Sequence, residues 1–321
     1  MIKIALAGCG EHSRSSHAAP LARYAAQHPG EIQLVAACDL NREKAVEFCQ
    51  TFGFQRAYTD MSQMLDSEKP NACVCIMPMD AIVEKGIELL TRGIPCVIEK
   101  PMGTSLAEIE KLNKVAIETQ TPHMVSVNRR FIPYLNDVRS WLKEVGPVRY
   151  VRATQVRHAR NEDDFIWSTG IHVLDALRYI AGEIDNFEVE VIGPDAVAAW
   201  YLISLQFEAG ATGRIEILPT SGMVEESYEF FGERFRARIT AGAGTQRTLE
   251  FWHDNKLVNE VRADENESED LRNGAYQEVE EFVQSLRTGT PPYPSIETIL
   301  PSARICFAIA DSIKNARALN H

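Results

Sequence analysis

The chain has 321 residues, 45% hydrophobic and 24% charged, which is the length of two ordinary domains and the make-up of a globular protein. Its formal net charge of −12 argues against a general nucleic-acid binder, and no apolar run approaches the ~18 residues of a membrane span. The opening "MIKIALAGCG" has neither a basic leader nor a cleavage pattern, so a cytoplasmic protein is expected.

The strand "IKIALAG" leads through a glycine turn to a helix at "AAPLARYAAQ". The strand "IQLVAACD" follows, then the helix "REKAVEFCQTFG", closed by Gly53, a residue suited to the left-handed position after a helix. "ACVCIMP" and "IPCVIEKP" are continuous apolar strands flanking the helix "DAIVEKGIELLTRG", and the helix "SLAEIEKLNKVAIETQ" leads to the strand "HMVSVNRRF". Strands apolar on both faces, alternating with helices, predict an α/β, doubly wound parallel sheet over residues 1–123. The seven cysteines lie mostly in such runs and include no C-x-x-C pair, so they read as buried thiols, with no metal site or disulfide framework expected.

From about residue 147 the texture changes to long strands, "PVRYVRATQVRH", "FEVEVIG", "AWYLISLQFEAGATGRIEILP", "SYEFFGERFRARITAG" and "RTLEFWHDNKLVNEVRA". Glycine turns between them predict a large, mainly antiparallel sheet within a second domain, residues 124–321. One helix interrupts it at "STGIHVLDALRYIAG"; a solvated acidic loop is expected at 264–270 and helices at 275–286 and 295–315.

Gly8 and Gly10 stand at the first strand-to-helix turn, the G-x-G start of a dinucleotide fingerprint. Ser13 replaces the third glycine, and Ser15, Ser16 and Pro20 predict a longer loop before the helix settles. Asp39 ends the second strand, placed to accept hydrogen bonds from an adenosine ribose, although it lies 29 residues after Gly10 and the usual spacing is about 20. An acid there leans toward NAD over NADP. Asn41 and Arg42 admit two readings: a receiver for a 2′-phosphate, or a helix cap by the aspartate Asp39 followed by a surface arginine. Glu99 and Lys100 fall beyond the end of a buried strand, where ligands of such sheets sit. A lysine there can stabilise charge on a substrate oxygen during hydride transfer, and Glu99 can orient it or touch the cofactor.

"EKPMG" after the glycine turn, with "VNRRF" and "STGIHVLDALRYIAG", resembles the Gfo/Idh/MocA family, the glucose-fructose oxidoreductase and inositol dehydrogenase group. The resemblance covers nearly the whole chain, including the ending "YQEVEEFVQSLRTGTPPYPSIETILPSARICFAIADSI". It implies an N-terminal Rossmann domain, a C-terminal α/β domain with an open antiparallel sheet, a homodimer or homotetramer, and NAD(P)-dependent oxidation or reduction of sugars, cyclitols and related polyols. It implies Lys100 and His172 in proton transfer and Asp175 as a substrate or lysine contact. His172 and Asp175, three apart, share a helix face; the imidazole titrates near neutrality, as an acid/base must, although a buried structural histidine is the other reading. The cofactor side implied is Gly8, Gly10, Ser13, Arg14, Asp39, Arg42, Met77, Pro78, Glu99 and Lys100. The substrate side is Asn128, Arg130, Arg157, Trp167 and Ser168. Two positions depart from the family pattern: Ser168 stands where an aspartate is common, and "IMPMD" replaces an A-T-P run.

Between residues 124 and 160 seven arginines and one lysine face only two acids. Two readings follow: guanidinium groups gripping an anionic sugar acid or nucleotide sugar, or ion pairing with the protein's own acids. The expected function is hydride transfer between nicotinamide and a secondary alcohol or ketone of a carbohydrate-like small molecule. The alternatives are a non-catalytic NAD(P)-binding regulator and an NAD-assisted glycoside-cleaving enzyme.

Overall fold

The structure, a computed structural model, describes residues 1–193, 199–242, 245–264 and 266–319. The chain divides into two compact units, Met1–Phe131 with Ser268–Leu300, and Ile132–Glu267 with Pro301–His321.

In the first unit six strands lie parallel: β1 (Ile2–Ala7), β2 (Ile32–Cys38), β3 (Arg56–Tyr58), β4 (Ala72–Cys75), β5 (Cys96–Glu99) and β6 (His123–Ser126). Their order is β3-β2-β1-β4-β5-β6, so the winding reverses between β1 and β4 and opens a crevice at the carboxyl ends of those strands. Every residue of β4 and β5 is buried, as continuous apolar runs require of strands covered on both faces. Ile4, Leu6, Leu34, Val74 and Val97 from the strands pack with Phe48 and Phe282 from helices in one core. Phe282 comes from the helix Ala275–Thr288, so this unit recruits a late segment of the chain.

The expected loop after Gly10 is absent. A helix starts at once at Glu11 and runs to Gln27, with a π turn over Arg14–Ala18 closed by the Ala19 N–H on the Arg14 carbonyl. Widening the helix there accommodates Pro20, which has no N–H to give to an ordinary α-helical bond. β3, the helix Met61–Glu68 and, in the second unit, the helix Pro133–Val145 had no prediction; Asp60 caps the helix Met61–Glu68 by accepting from the Gln63 N–H at 2.7 Å.

The second unit holds β7 (Val148–Val156), β8 (Ile184–Ile192), β9 (Trp200–Phe207), β10 (Thr212–Leu218), β11 (Glu225–Gly232), β12 (Phe235–Gly242), β13 (Thr245–His253) and β14 (Lys256–Arg262). They form one sheet, β14-β13-β12-β11-β7-β10-β9-β8, antiparallel except where β7 meets β10. Alternation is regular: Val151, Ala153, Ile203, Leu205, Ile215, Ile217, Phe230 and Ile239 are buried on one face. The helices Ile171–Ala181 and Pro133–Val145 pack on that face, the second setting Trp141 edge-on against Phe235 and tilted against Phe251. The acidic stretch is not a solvated loop throughout: Asp270 lies in a short helix, Glu269–Arg272, and is buried in an ion pair with Arg23 at 2.8 Å. Residue 265 of that stretch lies outside the described residues.

Candidate active site

The two glycines of the turn are there for different reasons. Gly8 has φ +97°, and a Cβ on it would overlap the Ile76 backbone carbonyl at the end of β4. Only glycine fits that close approach across the switch point. Gly10 has φ −73°, which any residue adopts, and a Cβ there would meet nothing within 4 Å. Neither the backbone nor the packing of the protein therefore asks for glycine at position 10; open space before a helix N-terminus fits the pyrophosphate of a dinucleotide.

Asp39, at the end of β2, closes this turn: its Oδ2 accepts from the Cys9 N–H and its Oδ1 from the Asn41 N–H, both at 3.0 Å. Asn41, not Asp39, caps the next helix, its side chain accepting from the Lys44 N–H at 3.0 Å, and Arg42 is exposed at the first helical turn. Arg14 is engaged within the unit, paired with Glu47 and lying over the rings of Phe48 and Phe52. Ser13 is fully buried. Met77 and Pro78 lie in the link after β4, where the Pro78 carbonyl accepts from the N–H groups of Ala81 and Ile82 to start the next helix.

At the end of β5 the chain places Glu99 inside and Lys100 partly exposed. Burial works against a charge on Glu99, yet hydrogen bonds from His12 and His17 hold its carboxyl well below the usual carboxylate range. His17 Nε2 lies 2.7 Å from one carboxylate oxygen and His12 Nε2 3.3 Å from the other. Glu278, on the helix Ala275–Thr288, responds oppositely: burial and the nearby Glu99 charge push it well above that range, and the Ser126 hydroxyl donates to it at 2.9 Å. His12, His17 and Glu278 were not legible as site residues. The histidines are five apart, which on a regular α-helix of about 100° per residue puts them on different faces. The π turn between them changes that, bringing the rings to 5.7 Å.

In the second unit a π turn, Ile166–Gly170, feeds the helix Ile171–Ala181, whose first turn carries His172. His172 and Asp175 are both buried, at 7% and 1% exposure. The Ser302 hydroxyl donates to Asp175 Oδ1 at 2.6 Å, and the Arg178 guanidinium approaches the same oxygen at 3.9 Å. Trp167 stacks on Phe307 at 5.2 Å, and Ser168 is buried beside it in the chain.

The arginine-rich stretch is paired internally. Arg157 is buried against Glu226, Arg152 meets Glu229 directly across β7 and β11, Arg149 holds Glu233, and Arg160 holds Glu162. Arg139 lies over the Tyr179 ring. In the first unit Arg129 bonds the Asn128 side chain at 3.1 Å, and buried Arg130 bonds the Tyr293 hydroxyl and lies over its ring. Four of the seven arginines, Arg149, Arg152, Arg157 and Arg160, thus pair with the protein's own acids.

Among known proteins, the family model described as "Oxidoreductase family, NAD-binding Rossmann fold" matches residues 2–128, and that described as "Oxidoreductase family, C-terminal alpha/beta domain" matches residues 146–320. The chain is 26% identical over 245 residues to a D-apiose dehydrogenase of Paraburkholderia graminis, covering 70% of this chain and 63% of that one. It is 24% identical over 289 residues to a 4-carboxy-2-hydroxymuconate-6-semialdehyde dehydrogenase of Sphingobium sp., covering 85% and 89%. The crystal structure of a dehydrogenase from Chromobacterium violaceum superposes with a TM-score of 0.84 at 19% identity, covering 100% of this chain and 99% of that one. No helix among the described residues is long and apolar enough to cross a membrane.

Proposed function

We infer the reaction from one premise: the chain belongs to the Gfo/Idh/MocA oxidoreductase family. The reaction is reversible hydride transfer between a nicotinamide dinucleotide and a secondary alcohol or ketone of a sugar, cyclitol or related small molecule. The observation that carries it is the pair of glycines at the switch point, Gly8 pressed on Ile76 and Gly10 facing open space. Gly8, Gly10 and the helix start at Glu11 would hold the pyrophosphate, and Asp39 the adenosine ribose. When bound, the nicotinamide supplies the hydride acceptor or donor.

Lys100, just beyond β5, hydrogen-bonds the substrate oxygen and stabilises the negative charge that develops there. His172 takes the hydroxyl proton in oxidation and returns it in reduction. Asp175, fixed by Ser302, holds its place on the same helix face as His172. The carboxylate of Asp39 opposes a 2′-phosphate, so the cofactor is NAD in preference to NADP. The open face of the large sheet meets a second copy of the chain, which makes the working form at least a dimer.

Titration of the purified protein with NADH and NADPH, read by nicotinamide fluorescence, tests the cofactor. NADH is expected to bind at micromolar levels, and Lys100→Ala to keep that binding while losing about 10²-fold or more in kcat on whichever polyol is turned over. Binding of neither dinucleotide, with none released on denaturation, sinks the reading.

A further inference from the structure

Beside the glycine turn is a cluster whose two histidines hydride transfer does not use. His12 and His17 both direct Nε2 at one carboxylate, that of Glu99, at 3.3 and 2.7 Å, and one ligand atom from each residue lies within 4.8 Å of the other two. Among the described residues no other group of three histidine, cysteine or acidic side chains converges in this way. A purely structural contact needs less. Buried His17 alone would satisfy the Glu99 charge, whereas His12 is half exposed, at 52%, and still turns inward to the second oxygen.

We propose that His12, His17 and Glu99 bind a divalent cation of the zinc class. Two imidazoles and a carboxylate are the ligands such borderline ions prefer, and three protein ligands leave the fourth tetrahedral position open to an oxygen donor. A zinc ion held at about 2.0–2.1 Å from nitrogen and oxygen ligands needs those atoms roughly 3.3 Å apart. The His12 nitrogen already lies 3.3 Å from one Glu99 oxygen and the His17 nitrogen 2.7 Å from the other, close to that spacing.

The local fold supports the site at three levels. The π turn places the two histidines on one side of the helix, their rings edge to face at 79°. π turns of this kind recur at functional sites. The Ser16 hydroxyl lies 3.4 Å from His12 Nδ1, the outer contact that orients a ligating imidazole. The hydroxyl of Ser13, next to His12 in the chain, is fully buried and has no hydrogen-bond partner. Glu99 is the residue before Lys100, so an ion here sits one residue from the proposed substrate lysine.

Metal-free protein, prepared with a chelator and carrying no nicotinamide, is titrated with ZnCl2 by calorimetry and with CoCl2 by visible absorption. One ion per chain at micromolar Kd or tighter is expected, with the intense d–d bands of four-coordinate cobalt. His12→Ala and His17→Ala should each weaken binding by at least about 10-fold. His12 is half exposed, so its alanine variant folds even where the buried His17 variant does not, and it carries the test alone. No stoichiometric ion in the wild type overturns the proposal, as does binding that His12→Ala leaves unchanged. Either result stands apart from dinucleotide binding, which the titration does not involve.

Discussion

Gly8 and Gly10 look alike in a motif and differ in what the protein demands of them. A methyl group at Gly8 must both enter the left-handed region, at about 1–2 kcal/mol for an L-residue, and displace the Ile76 carbonyl. Gly8→Ala is therefore expected to lower Tm by several degrees and to lose dinucleotide binding. Gly10→Ala meets ordinary backbone angles and empty space, so its stability should stay within about 1 kcal/mol of wild type or rise slightly through a stiffer unfolded chain. Its dinucleotide affinity should nevertheless fall by 10-fold or more, because the added methyl occupies ligand space. Paired thermal melts and NADH titrations separate the two; a Gly10→Ala protein that binds NADH like wild type removes position 10 from the site.

Among the elements, the helix Ala275–Thr288 carries Glu278 against the ends of β5 and β6, and there two buried carboxylates respond to pH in opposite directions. Glu99 is held below its unfolded value, so the stability it contributes is present above the ordinary carboxylate range and lost in acid. Glu278 is held above its unfolded value, so its contribution is present below that range and lost as pH rises through the folded value. Glu278→Gln removes the second effect alone. Its Tm advantage over wild type should grow between about pH 5 and about pH 8; an advantage that stays flat over that interval shows Glu278 ionised in the folded chain. Which elements could be read in advance follows the same physics. β4 and β5 were legible as continuous apolar runs, because burial selects residue type directly, and the second unit's strands as long stretches joined by glycine turns. β3, three residues long, has too few positions to show a period, and the π turn depends on a hydrogen-bond register that residue type does not encode. His12 and His17 stayed hidden for that reason. The Arg152–Glu229 pair stayed hidden too, because it is set by the register of β7 against β11. Lys100 could be named from its place beyond the end of a buried strand, whereas the roles of His172 and Asp175 could be named only because their motif resembles a family.

For the whole molecule, the large sheet poses the remaining question. Its covered face is closed by helices, whereas the other face carries Tyr150, Ile192 and Trp200, each at least 36% exposed, among ion pairs such as Arg152–Glu229–Arg236. A sheet of eight strands with apolar side chains spread along one open face has surface to gain by association, and the paired charges at its middle can meet a partner without leaving an unpaired ion. A second copy related by a two-fold axis buries the same patch on both chains. Sedimentation equilibrium should therefore return at least twice the mass of the 35.9 kDa chain. Tyr150→Asp combined with Trp200→Asp places new charge on that patch without touching the covered face. The double variant is expected to sediment as a monomer with its dinucleotide affinity intact, since Gly8, Gly10 and Asp39 belong to the other unit. A wild type that sediments as a monomer at tens of micromolar, or a double variant that keeps the wild-type mass, shows that this face does not join copies of the chain.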